Sequence, residues 1–168
     1  MQNKSLPPPA AQYITREGYT RLEKELRDLW QVQRPKVTQA VTEAAAQGDR
    51  SENAEYIYGK KQLRAIDRRI RFLSQRLDKL QIIEQPPRET TRIYFAAWVT
   101  LEDQHGQTHQ YRLVGSDEFD LSKGYLSINS PLAKAMLGKY CEDEICVQTP
   151  TGEQFYTIIA IRYDGWLF

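Results

Sequence analysis

The chain has 168 residues, 23 Lys and Arg against 22 Asp and Glu, with 40% hydrophobic and 27% charged. This is an ordinary globular composition, long enough for one large domain or two small ones. A net charge of +1 excludes polyanion binding through bulk charge, and no run nears the roughly 18 apolar residues of a membrane span. Two cysteines cannot build a disulfide scaffold, and residues 1–11 lack the apolar centre of a secretory signal, so a cytoplasmic location is expected.

Residues 1–12 read as a disordered lead, because Pro7-Pro8-Pro9 cannot enter a helix interior. Thr15 can cap a first helix, with Glu17 well placed in its first turn. Tyr19, Leu22, Leu26 and Leu29 then recur at 3–4 spacing and continue more weakly through Gln33, Val37 and Ala40. Pro35 predicts a kink in that helix, which otherwise runs to about Gln47. Gly48 breaks it. A second seam follows: Tyr56, then Leu63, Ile66, Ile70, Leu73, Leu77 and Leu80. Two helices of roughly 30 residues, each about 45 Å long, joined by a few residues, predict an antiparallel coiled-coil hairpin. It spans residues 13–85 with its tip at 48–53.

Residues 86–91 read as a linker after Pro86-Pro87. Beyond it the pattern becomes β-rich. The run 94–101 predicts a strand, Asp103 to Gly106 a turn, and Thr108 to Val114 the return strand. Tyr125 to Ile128 predicts a short strand. Ser130 and Pro131 fit the N-cap and first position of a short helix closed by Gly138. A final hairpin turns at Pro150-Thr151-Gly152-Glu153. Residues 92–168 are therefore expected to form a small antiparallel-sheet domain with one short helix, making the chain α+β.

Charge is unevenly distributed along this organisation. Residues 56–83 hold 8 basic and 2 acidic side chains, whereas residues 84–168 hold 7 basic and 12 acidic. Within the basic block Lys60, Lys61, Arg64, Arg68 and Arg71 share the helix face opposite the Leu63/Ile66/Ile70 seam. Such a stripe can track a nucleic-acid backbone, with Tyr56 and Tyr58 offering stacking surfaces. It can equally be a solvated outer face.

At the tip, Asp49 and Glu52 are spaced to project together as hard oxygen ligands for Mg²⁺. The same spacing also fits a capping box, the commoner use of such a pair. His105, His109, Cys141 and Cys146 do not have the tight pairing a zinc site wants, and the cysteines read as packing residues. There is no Gly-rich phosphate loop, catalytic triad or nucleophile elbow. A tip with no walls cannot by itself exclude water or enclose a substrate, so any chemistry there needs a pocket supplied by another protein.

The tip sequence Gly48-Asp49-Arg50-Ser51-Glu52-Asn53-Ala54-Glu55-Tyr56 resembles the signature of the bacterial Gre transcript-cleavage factors. Lys60-Lys61-Gln62-Leu63-Arg64, Ile66-Asp67-Arg68-Arg69 and Arg34-Pro35 are similar to its GreB branch. Ser127 to Ala133 and Thr149 to Glu153 resemble the C-terminal domain of the same family. The resemblance covers about residues 13–163.

It implies a coiled-coil hairpin followed by an FKBP-like domain, and a factor that rescues backtracked bacterial RNA polymerase. The C-terminal domain would dock at the rim of the secondary channel through Asn129, Ser130 and Pro131. Asn129 stands where GreB-type members carry Asp. The hairpin would carry Asp49 and Glu52 to the polymerase centre. There they would help hold a second Mg²⁺ shared with the polymerase and orient the attacking water, with Arg50, Ser51 and Asn53 in support. Lys60, Lys61, Arg64 and Arg68 would contact the nascent RNA 3′ end. The free protein is expected to be a monomer that binds no metal and no membrane, and to stimulate the polymerase's own hydrolysis rather than act as an enzyme. Trp166-Leu167-Phe168 lies past the resemblance and can pack on the domain or touch a partner.

Two other readings stand beside this one. A non-catalytic regulator could insert a similar hairpin into the same channel, which a tip lacking one acid would favour. A free prolyl isomerase or chaperone could carry a coiled-coil arm, but likeness of fold does not transfer activity.

Overall fold

The computed structural model describes residues 12–48 and 52–164. The N-terminal lead to Ala11, tip residues Asp49, Arg50 and Ser51, and Trp166-Leu167-Phe168 lie outside the described residues. Contacts divide the chain into two units. Residues Tyr19–Leu80 make one; the residues up to Gly18 join those from Gln81 onward in the other.

In the first unit, α1 (Arg16–Asp28) passes through a π-helical turn, Leu29–Gln33, into α2 (Arg34–Ala46). The π turn is how the helix accommodates Pro35, which lacks an N–H and crowds the carbonyl of the preceding turn. The Arg34 N–H reaches back to the Leu29 carbonyl, five residues away. The extra residue moves the buried seam. Leu22 and Leu29 are buried seven apart, Val37 follows eight later, and Ala44 seven after that. Gln33 and Ala40, which a continuous 3–4 repeat places on the seam, are exposed.

The partner helix α3 (Ala54–Lys79) keeps its expected periodicity and buries Gly59, Ile66, Leu73 and Leu77. Gly59 was not on the expected seam. It is small because the two helices approach closely there, and a Cβ would lie 2.8 Å from Val41 Cγ2. Ion pairs tie the helices, among them Arg34 to Asp67 at 2.8 Å and Arg69 to Glu25 at 2.6 Å.

The second unit opens with β1 (Tyr13–Thr15), paired in parallel with β2 (Gln81–Ile83). Neither strand was expected, since three-residue strands carry no readable alternation. Thr15 does cap α1: its Oγ1 accepts the Gly18 N–H at 3.1 Å. The main sheet contains β3 (Trp98–Asp103), β4 (Thr108–Val114), β5 (Tyr125–Ser127), β6 (Glu144–Thr149) and β7 (Gly152–Arg162), in the order β5-β4-β3-β7-β6. Its pairings are antiparallel apart from the edge pair β4–β5.

The short helix α4 (Pro131–Met136) packs Ala133 and Met136 into a core with Val99, Leu101, Leu113, Ile145 and Ile158. The mixed α+β architecture is the expected one. The strand expected over 94–101 begins only at Trp98, however. Ala96 takes a left-handed φ of 68° and the Ala97 N–H bonds the Tyr94 carbonyl, making a turn. Phe95 and Ala96 serve instead a second small core with Ile128, on which Tyr13, Ile83 and Leu137 pack, while Ala97 belongs to the main core.

Candidate functional site

The hairpin tip is built by two helix ends. At the end of α2 the Gln47 N–H bonds the Ala44 carbonyl, and Gly48 with φ 150° turns the chain where a side chain would be strained. Asn53 organises the other end. Its Oδ1 accepts the Tyr56 N–H at 3.1 Å, capping α3, and its Nδ2 donates to the Ala44 carbonyl at 2.6 Å. One side chain thus closes the first turn of one helix and the last turn of the other.

This excludes the capping-box use of Asp49 and Glu52, because α3 starts at Ala54 and its N-cap is Asn53. Glu52 lies just outside the cap and is exposed. A carboxylate so placed suits a hard oxygen ligand, whose lone pairs must face outward. Its predicted companion Asp49, and Arg50 and Ser51, lie outside the described residues.

The basic stripe leaves the tip along α3. Lys61, Arg64, Arg68 and Arg71 are exposed; Lys60 is half-buried, with its Nζ 5.3 Å from the Tyr56 ring. Asp67, one of the two acids in this block, is engaged by Arg34 across the hairpin and does not belong to the stripe. Tyr58 is 69% exposed beside it. Arg69 turns away to a two-pronged pair with Glu25.

In the second unit Ser130 Oγ accepts the Ala133 N–H at 3.2 Å and caps α4, so this side chain has a structural task. Asn129 and Pro131 flank it and are exposed. The Asn129 N–H bonds Ser127 Oγ, and the Ile128 N–H bonds the Val114 carbonyl. The loop is therefore fixed to the end of β4 and β5.

The His and Cys residues do not assemble. His109 Nε2 lies 2.9 Å from Asp103, and that bond, with the Gln107 and His105 backbone N–H groups, holds the Asp103 carboxyl down at about 2. Among the described residues no three His, Cys, Asp or Glu side chains are grouped to hold a metal ion. Both cysteines are exposed, correcting the expectation that they pack. Cys146 falls on the outward side of β6, alternating with buried Ile145 and Val147.

Two features escaped sequence reasoning. Trp30, 58% exposed, borders a groove of about 460 Å³ with Leu26, Arg27, Ile70, Ser74 and Leu77. Glu118 is a buried acid, and no local pattern announced it.

Comparison with known proteins bears on both units. The profile described as transcription elongation factor, N-terminal, matches residues 12–82. That described as transcription elongation factor GreA/GreB, C-terminal, matches residues 88–163. The chain belongs to the GreA/GreB transcription elongation factor family.

Transcription elongation factor GreB of Haemophilus ducreyi is 59% identical over 152 residues, covering 90% of this chain and 94% of that protein. GreB of Pseudomonas aeruginosa is 56% identical over 150 residues, covering 89% of each. Among solved structures, GreA factor homolog 1 of Thermus thermophilus is 25% identical, covering 89% of this chain and 97% of that one, with a TM-score of 0.41.

Proposed function

We propose that this chain rescues backtracked bacterial RNA polymerase by stimulating the polymerase's own hydrolysis of the nascent RNA near its 3′ end. The observation that carries the reading is family membership across both units, joined to a tip whose exposed acid is not used as a helix cap. The sheet unit would dock at the secondary-channel rim through Asn129 and Pro131, with Ser130 holding the loop in shape. Charges exposed on a thin hairpin have no wall to exclude water, so the polymerase supplies the enclosure and the protein acts as a cofactor.

Glu52 and Asp49 would contribute carboxylates to a second Mg²⁺ held jointly with the polymerase. When bound, that ion would supply charge stabilisation and a more acidic water. The chain's own residues do the rest. Asn53 fixes the tip by joining both helix ends, and Glu52 orients the attacking water from outside the cap. Arg50 and Ser51 neighbour that acid in sequence and would contact RNA or polymerase groups. Lys60, Lys61, Arg64 and Arg68 hold the extruded RNA backbone by charge. The setting is cytoplasmic, and no helix among the described residues is long and apolar enough to cross a membrane.

The test adds the purified chain to a stalled, backtracked polymerase complex carrying 5′-labelled RNA. Shortening of the RNA from its 3′ end with resumed elongation is the expected result. Binding without shortening would replace this reading with that of a channel-occupying regulator.

A further inference from the structure

We propose that the open edge of β6 pairs with the same edge of a second copy of this chain, in antiparallel register about Cys146. The inference rests on the sheet unit alone. The two edges of its five-stranded sheet are finished differently. At the β5 edge the chain covers itself: the Tyr125 N–H bonds the Asp120 carbonyl, and the Asp120 N–H bonds the Tyr125 carbonyl. At the β6 edge, among the described residues, no further strand or bridge follows. β6 reads Glu-Ile-Cys-Val-Gln-Thr and pairs with β7 without a register shift. It has no proline, lysine or bulge, the devices that keep an edge from pairing.

The bonding direction along β6 follows from its entry beside β7. The Ile158 N–H donates to the Asp143 carbonyl at 3.0 Å. In an antiparallel ladder successive residues bond to opposite sides. Ile145 and Val147 therefore bond toward β7, while Glu144, Cys146 and Gln148 direct N–H and C=O outward. Side chains alternate as well: Ile145 and Val147 are buried, and Glu144, Cys146 and Gln148 are exposed. Cys146 stands opposite Phe155 of β7, which is 44% exposed.

Self-complementarity identifies the occupant as a second copy. Strands must meet with inward residues opposite inward ones, since a one-residue slip turns every side chain to the other face. A two-fold axis through Cys146 meets that condition. It sets Cys146 against its counterpart, Ile145 against Val147 of the second copy, and Glu144 against Gln148, with no like charges opposed. All the outward-bonding residues then find partners. An axis through Val147 would instead set Glu144 against Pro150, which has no N–H. On the outer face the row of Phe155 and Cys146 continues into the same pair reversed, which covers apolar surface the monomer exposes. An edge of six residues buries less than the roughly 1,200 Å² of stable complexes. The pairing is therefore reversible, with monomer at about 1 µM and dimer from about 100 µM.

The experiment has two readouts on the full-length chain. Sedimentation of reduced protein between about 1 and 500 µM should show the mass rising toward that of a dimer. Diamide then traps contacts, taking up two electrons and two protons as each S–S bond forms. Each crosslinking rate is divided by the same variant's rate of alkylation by N-ethylmaleimide, so that proximity alone is compared. Cys141→Ser, which keeps Cys146, should crosslink at least about tenfold faster than Cys146→Ser, because residues directly opposite across strands lie within disulfide reach. Gln148→Pro removes an outward N–H and should abolish that advantage with the melting temperature unchanged, since an edge tolerates proline.

Should Gln148→Pro not fold, two surface variants test the same register. Gln148→Lys should tighten the dimer by about fivefold and Gln148→Glu weaken it by about as much, because each faces Glu144 twice per dimer. Repulsion between chains of net charge +1 would give the reverse order. A monomer mass throughout, equal crosslinking of the two cysteines, or the reverse order of the Lys and Glu variants would overturn the inference. So would a chain that stays monomeric while polymerase shields Cys146 from alkylation, a result that assigns the edge to polymerase.

Discussion

Replacing Asn53 with alanine should open the tip without unfolding the hairpin. The substitution removes the acceptor for the Tyr56 N–H and the donor to the Ala44 carbonyl. Loss of such a cap costs about 1 kcal/mol, and loss of one partly buried hydrogen bond about as much again. The sum of about 2 kcal/mol corresponds to roughly a 25-fold rise in the frayed population. Amide hydrogen exchange measures it directly. The Tyr56 and Ile57 amides, whose acceptors are the Asn53 side chain and carbonyl, should exchange faster by about that factor. Amides around Leu73 should not change. Asn53→Asp separates the two bonds, keeping the cap acceptor while setting a carboxylate against the Ala44 carbonyl; it should accelerate exchange at Gln47 and Gly48 more than at Tyr56. Unchanged exchange in Asn53→Ala, or acceleration spread evenly along α3, would refute the view that this side chain joins the two helix ends.

The seam shift at the π turn predicts that Val37→Ala costs about 1–3 kcal/mol in thermal unfolding of the hairpin, while Gln33→Ala and Ala40→Ser cost almost nothing; equal effects at Val37 and Ala40 would contradict the register. Leu73→Ala, at a fully buried position, should cost about 3 kcal/mol by the same measurement. The Asp103 carboxyl, held by His109 and by turn N–H groups, titrates in the folded chain at about 2, below its ordinary value of 3.8. Its stabilising effect is therefore complete above the ordinary value and is lost as pH falls through about 2. Asp103→Asn should flatten the acid limb of a melting-temperature profile, and an unchanged limb would remove Asp103 from it. Charge reversal at Lys60, Lys61 and Arg64 should weaken retention of the extruded RNA and lower the salt dependence by about one unit of slope per lost phosphate contact; unchanged affinity and slope would reduce the stripe to a solvated face.

What was legible in the sequence follows from how local its cause was. The α3 seam from Leu63 onward repeats at the helix period, and burial of Ile66, Leu73 and Leu77 agrees with it. The Ser130-Pro131 helix start and the last hairpin announce themselves through caps and turn residues, and Thr108–Val114 is a strand as expected. The α1–α2 seam was fully legible only as far as Leu29, with Val37 beyond it. The response to Pro35 is a whole π turn, which inserts a residue; Val37 stays on the seam as expected, but Gln33 and Ala40 leave it and Ala44 joins it. The β1–β2 pairing joins Tyr13 to Gln81, too distant and too short for any periodic signal. Ala96 hid a turn inside a β-rich run, because a left-handed alanine has no sequence marker.

At the candidate site, residue spacing could not separate a metal-binding acid pair from a capping box. The resemblance favoured the first. The position of the true cap, Asn53, then removed the second by placing Glu52 outside the helix. Glu118 was beyond sequence reasoning altogether, since what makes it notable is burial against Thr15, 103 residues away.

The most direct test of the account compares wild type with Asp49→Asn/Glu52→Gln in purified backtracked complexes. Both changes keep side-chain size and remove the carboxylate charge. The account predicts that the double variant competes with wild type for polymerase at nearly equal affinity, yet leaves the RNA 3′ end uncut while wild type shortens it. Cleavage by the double variant at the wild-type rate would contradict a catalytic role for the tip acids.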